Sequence, residues 1–172
     1  MRSVSATITI DRPADEVYDY LLDIASRPEF APDLFLDFRL SRIESYGQGA
    51  GARFRLHPKL RERFAGTTIV QAKPFELILE EGSTGRTGRV PLTIEYLLDG
   101  QPDGTTHVRT SIETSPLLLP DRVREYGLRR NVKRRLPRAM RRLRDILEGV
   151  PKARHGDRPT VAGVGPNYVP NP

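Results

Sequence analysis

The sequence predicts an α+β fold, in which a curved antiparallel sheet of about seven strands wraps around a long C-terminal helix, with two short helices after strand 1. Three observations predict it. Pro120–Gly149 repeats Leu128, Val132, Leu136, Met140, Leu143 and Leu147 at three- and four-residue steps, which lays them along one side of a helix. Between residues 34 and 114 one segment after another alternates apolar and polar residues in period two, the mark of half-buried strands. A single long helix is available to cover the apolar faces of all those strands. The economical solution is a sheet curled around it, and the gap left between them is a natural apolar pocket.

The elements follow in order. Val4, Ala6, Ile8 and Ile10 share one face of a first strand. Pro13 opens a helix over PADEVYDYLLDI, with Asp15 and Glu16 in the first turn where the helix dipole favours acids. ASRPEFAP carries two prolines and reads as a broken turn or a short second helix. Leu34, Leu36, Phe38 and Leu40 alternate along the next strand, and the out-of-phase Ile43 suggests a bulge near Ser41 and Arg42. Residues 47–51, GQGAG, form a turn between strands. They lack the third glycine of a dinucleotide loop, and no Lys-Ser/Thr follows.

Four strands come next. Phe54 and Leu56 mark residues 52–56, and Phe64, Thr68 and Val70 mark residues 62–72. Phe75, Leu77 and Leu79 are expected inward from residues 75–79, with Glu76 and Glu80 outward. Val90, Leu92, Ile94, Tyr96 and Leu98 line residues 90–98. The turn QPDG at 101–104 leads to a last strand with Val108, Thr110 and Ile112 inward. Pro137 sits inside the long helix, where it removes a hydrogen bond to the Lys133 carbonyl, so a kink or break is expected there. One domain over 1–149 is expected. Residues 150–172 are rich in Pro and Gly, lack periodicity, and read as a flexible tail.

Composition narrows the class. At 172 residues, 37% hydrophobic and 29% charged, the chain suits one soluble globular domain. It has no cysteine, which excludes disulfides, thiol nucleophiles and thiolate metal sites. The opening residues lack a secretory pattern and no apolar run approaches membrane-spanning length, so a cytoplasmic location is expected. The net charge is +6. Residues 120–149 hold eleven Lys and Arg against four Asp and Glu, so the excess belongs to the long helix and the rest of the chain is slightly acidic.

The opening ATITIDRPADEVYDYLLDI, the segment RPEFAPDLFLDFRLSRIESYGQGAGARFRL and the long C-terminal helix together resemble the START/Bet v 1-like superfamily. Within it the chain is similar to bacterial polyketide cyclase/dehydrase and coenzyme-Q-binding proteins. The resemblance covers roughly residues 3 to 149 and implies the helix-grip fold. It also implies one of two roles, binding or transport of a hydrophobic small molecule or lipid, or a cyclase/dehydratase activity of lyase or isomerase type.

The apolar faces give a candidate ligand-binding set: Phe38, Phe54, Phe64, Thr68, Phe75, Leu77, Ile94, Tyr96, Thr110 and, from the helix, Tyr126. Its polar handles are Tyr96, Thr68, Thr110 and Tyr126. Proton transfer needs His, Asp or Glu within reach of the ligand. The alternation instead turns Arg53, Arg55, His57, Glu95, His107, Arg109 and Glu113 outward, which favours binding over catalysis. No catalytic residue is assigned. His57, His107 and His155 lack metal-ligand spacing, and neither metal nor cofactor is expected. The arginines of the helix, Arg129, Arg130, Arg134, Arg138 and Arg141, read first as a solvated face. An anionic membrane surface ranks second, and nucleic acid last because no aromatic residue is interleaved among them.

Overall fold

The computed structural model describes residues 2–56, 64–85, 88–116 and 119–149. The expected tail at 150–172 and the candidate residues His57 and His155 lie outside them. The element order is strand β1 (Arg2–Ile10), helix α1 (Ala14–Leu22), a 3-10 turn (Ile24–Ser26) and helix α2 (Arg27–Phe30). Strands β2 (Leu36–Leu40), β3 (Gly51–Arg55), β4 (Ala65–Lys73), β5 (Leu77–Thr84), β6 (Val90–Gly100) and β7 (Thr106–Thr114) follow, and helix α3 (Leu119–Gly149) closes the chain.

The seven strands form one antiparallel sheet in the order β1-β7-β6-β5-β4-β3-β2. The first two strands of the sequence are therefore its two edges. The chain must cross from one edge to the other between them, and α1, the 3-10 turn and α2 make that crossing. Pro13 presets the entry into α1, and Asp15 and Glu16 offset the first-turn dipole. Asp23 ends α1 and caps the 3-10 turn, its carboxylate accepting from the Ala25 amide at 3.0 Å.

α3 buries Leu128, Val132, Leu136, Ala139, Met140, Leu143 and Leu147, the stripe its sequence period lays out. It packs closest to β1 and α2. Asn131 donates to the Leu56 carbonyl at 2.8 Å, and Arg135 pairs with Asp33 at 3.9 Å and donates to its carbonyl. At the far end the Arg12 guanidinium donates to the carbonyls of Leu147 at 2.8 Å and Glu148 at 3.2 Å, a cation at the negative end of the helix. Of the kink or break expected at Pro137, the break does not occur, since the helix runs continuously through it. The ring lies on the exposed side, where water can solvate the freed Lys133 carbonyl.

Two strands differ from expectation. In β4 the buried residues are Ala65, Thr67 and Ile69, and in β5 they are Ile78, Glu80 and Thr84. The inward positions expected for Phe64, Thr68, Val70, Phe75, Leu77 and Leu79 are thus one residue out of step. A one-residue slip exchanges the two faces of a strand, and here hydrophobicity pointed to the wrong face. The pairing explains it: Ile78 lies opposite Tyr96 and Glu80 opposite Ile94, so both share the inner face set by β6. The register shift in β4 falls between Ile69 and Gln71. The bulge expected near Ser41 instead lies between Leu36 and Arg39, where Asp37 adopts φ 49° and pairs with Arg55. β4 and β5 also approach closely, since a Cβ on Gly82 would lie 1.8 Å from the Gly66 carbonyl oxygen.

Candidate functional site

The inner face of the sheet is largely apolar, with buried threonines at Thr84, Thr106, Thr110 and Thr114 and one charged cluster. Arg27 opens α2 and reaches back beneath it. Its Nε and Nη2 donate to Glu80 Oε1 at 3.0 and 2.9 Å, and Nη2 also donates to the Leu21 carbonyl at 2.7 Å. Nη1 donates to Ser26 Oγ at 3.2 Å, and Thr67 donates to Glu80 Oε2 at 2.8 Å. Both oxygens of a buried carboxylate are thereby satisfied, as a charge held away from water requires.

The Arg27 guanidinium also lies 4.6 Å from the Tyr96 ring centroid. Burial works against its charged form, but Tyr96, Glu80 and Asp23 outweigh this and hold the Arg27 pKa above its ordinary value. The Tyr96 hydroxyl is pushed far above the ordinary tyrosine range, chiefly by burial. Arg27 opposes the shift and Glu80 adds to it.

Thr110 stands directly opposite Tyr96 in the β6–β7 pair, on the same inner face. Its side chain is 2% exposed, and its Oγ1 has no hydrogen-bond partner among the described residues. Toward the β2 edge of the sheet stands an aromatic cluster. Phe54 packs edge-on against Phe35 at 4.8 Å and stacks with Phe38 at 6.4 Å.

The candidate residues divide cleanly. Phe54, Ile94, Tyr96 and Thr110 are buried on the inner face, and Phe38 is half-buried against Phe54. Thr68 and Leu77 are half-buried on the other face. Phe64 is 44% exposed, with the Arg53 guanidinium 5.7 Å from its ring, and Phe75 is 50% exposed against Tyr18. Tyr126 is 71% exposed on α3, apart from the buried residues of the inner face. Arg129 is half-buried with its Nε enclosed, so it leaves the exposed arginine face, whereas Arg130, Arg134, Arg138 and Arg141 are exposed.

Sequence reasoning missed Arg27, Glu80 and Thr67. The available signal was Glu80 at even spacing from Ile78 on a strand whose neighbour is apolar, with an arginine at the start of a proline-broken helix. Neither residue alone announces a buried pair. Among the described residues no group of three or more His, Asp or Glu side chains is placed to hold a metal, and no helix is long and apolar enough to cross a membrane.

Among the described residues the inner face offers hydrogen-bonding groups. Glu80 is committed to Arg27 and Thr67. A phenol whose pKa is raised stays protonated near neutral pH and keeps its O–H to donate.

Comparison with curated protein sequences gives no match. Solved structures share the fold. A START superfamily protein from Mycobacterium smegmatis matches with TM-score 0.60 at 10% identity, over 86% of this chain and 97% of that one. The Zhui aromatase/cyclase from Streptomyces sp. R1128 matches with TM-score 0.57 at 17% identity, over 86% and 92%. The KanY protein solution structure matches with TM-score 0.66 at 15% identity, over 86% and 98%. At these identities the likeness is one of fold, the helix-grip arrangement. The sequence profile described as "Polyketide cyclase / dehydrase and lipid transport" matches residues 1–148, and over that span the chain belongs to this family.

Proposed function

We propose that the protein binds a hydrophobic small molecule or lipid between the inner face of the sheet and α3. In this reading Thr110 and Tyr96 give hydrogen bonds to an oxygen of the ligand. The family spans polyketide cyclisation or dehydration and lipid transport, so a ligand-binding or cyclase-type role is the common ground. The observation that carries the binding reading is the unpartnered, buried Thr110 hydroxyl opposite Tyr96. A buried hydroxyl without a partner costs about 1–3 kcal/mol, and a ligand oxygen would supply the missing bond. The buried apolar side chains of the inner face, Phe54 and Ile94 among them, would supply affinity through burial.

Native mass spectrometry of the protein purified from its source tests this. A co-purifying apolar ligand is expected, and Thr110→Val and Tyr96→Phe should each reduce its retention by about tenfold, the worth of one hydrogen bond. Absence of any bound molecule in the wild-type protein would overturn the reading.

The cyclase/dehydratase reading has family membership in its favour. Against it stand the hydrogen-bonded Glu80 and the raised Tyr96 pKa. Turnover of a poly-ketone substrate that Tyr96→Phe abolishes would decide for the enzyme.

A further inference from the structure

The outward side of α3 carries a continuous basic face. Arg130, Lys133, Arg134, Arg138, Arg141 and Arg142 are all exposed, on the side opposite Leu128, Val132, Leu136, Met140 and Leu143. None of the six makes an ion pair among the described residues, whereas Arg135 and Arg144 on the flanks are paired with Asp33, Asp145 and Glu148. No acidic residue falls between Arg130 and Arg142. The six charges occupy about 18 Å of helix at the usual rise per residue. Arg130, Arg134, Arg138 and Arg142 continue at four-residue steps from Tyr126, whose exposed ring stands at the head of the row.

The geometry points to an anionic phospholipid surface as the partner of this face. Six like charges side by side repel one another, and an opposing layer of phosphates relieves that repulsion. Guanidinium groups suit phosphate oxygens in particular. The face holds almost nothing else. It has no amide or hydroxyl to read base edges, since Asn131 is engaged with the Leu56 carbonyl, and no aromatic ring between Arg130 and Arg142 for bases to stack on. A lone tyrosine at the end of a basic helical row fits the lipid–water interface, where an amphipathic ring is at home. The helix would lie flat, its basic side to the headgroups and its apolar side still covering the sheet. The choice of a lipid over another phosphate surface rests on the proposed hydrophobic ligand, which such a membrane would give up or receive.

The test is co-sedimentation of the full chain with vesicles of phosphatidylcholine alone and of equimolar phosphatidylcholine and phosphatidylglycerol. Binding is expected only to the anionic vesicles, and it should weaken steeply from low to high salt. Arg134→Gln/Arg138→Gln/Arg141→Gln should lower partitioning on the order of a hundredfold, as three surface cations near an anionic membrane contribute. The matching Lys triple variant should retain most of it, which separates lost charge from lost folding. Equal binding to neutral vesicles, an unchanged Gln variant, or tighter salt-sensitive binding to duplex DNA would each overturn the inference. Tyr96→Phe should still bind the vesicles and the Gln triple variant should still retain ligand, so the membrane inference and the ligand reading fail separately.

Discussion

Arg27 and Glu80 form an ion pair at 2.9 Å with both side chains 1% exposed, tying the first residue of α2 to the middle of β5. The pair spans the crossing helices and the sheet. Each charge is tolerable there only because the other is present. Glu80→Ala is therefore expected to destabilise the protein by about 3–5 kcal/mol, since it leaves the guanidinium buried and unpaired. Replacing both, as Arg27→Met/Glu80→Leu, should recover most of that loss. Urea denaturation of the two variants checks this. A single substitution costing under about 1 kcal/mol would mean that water reaches the pair.

Tyr96 links this cluster to alkaline stability. Its pKa in the folded protein lies above the unfolded value of about 10, first because the ring is buried. A neutral acid with a raised folded pKa contributes stability that is fully present below the unfolded pKa. That contribution is lost as pH climbs from there through the folded pKa. Stability should thus fall as pH rises above about 10, and Tyr96→Phe should make the fall shallower. In a spectrophotometric titration, one of the six tyrosines should ionise only as the protein unfolds. An alkaline slope identical in wild type and Tyr96→Phe would contradict the assignment.

Two glycines should respond with opposite sign to the same substitution. A methyl group on Gly82 would meet the Gly66 carbonyl oxygen at 1.8 Å, and neither backbone can yield without opening the β4–β5 pair. Gly82→Ala should cost at least about 1–3 kcal/mol, as overpacking does. Gly127 lies in α3 with nothing within 4 Å of an added Cβ. Gly127→Ala should stabilise by about 0.5–1 kcal/mol through helix propensity alone. Thermal melts of both variants, read side by side, test whether close approach or propensity governs each site.

Where the sequence pattern was regular, the structure follows it. β1, β6 and the α3 stripe carry apolar residues in regular period, β7 alternates threonines with Val108 and Ile112, and each turns inward the face that period implies. The pattern failed where two signals conflict. In β4 and β5 the larger apolar residues, Val70, Leu77 and Leu79, lie on the outer face, while Gly82 and Glu80 lie on the inner one. No count of hydrophobicity finds a strand that turns glutamate inward, because the cause, Arg27, lies 53 positions away. Four of the ten candidate ligand-binding residues fall on the buried inner face for the same reason. Phe54, Ile94, Tyr96 and Thr110 sit on regular strands, whereas Phe64 and Phe75 lie beside irregular ones.

Arg12 provides the last test, at the C-terminal end of α3. It immediately precedes Pro13, before α1, yet its Nε and Nη2 grip the carbonyls of Leu147 and Glu148, and the Asp11 amide donates to Glu148 Oε1 at 3.0 Å. Thr106 in turn donates to the Arg12 carbonyl at 2.7 Å, which fixes the backbone from which the side chain reaches. The C-terminus of the helix is thereby pinned to the edge strand and its neighbour. Arg12→Ala removes two charge-assisted bonds and a favourable dipole contact, a loss of about 2 kcal/mol. Arg12→Lys should restore only part of it, because a single ammonium lacks the planar fork that meets two successive carbonyls. Amide hydrogen exchange offers the local readout. The amides of Asp145 to Glu148 should exchange about tenfold faster or more in Arg12→Ala, while those of β6 keep their protection. Uniform acceleration across the whole chain would show that Arg12 acts on global stability and not as the lock of this helix end.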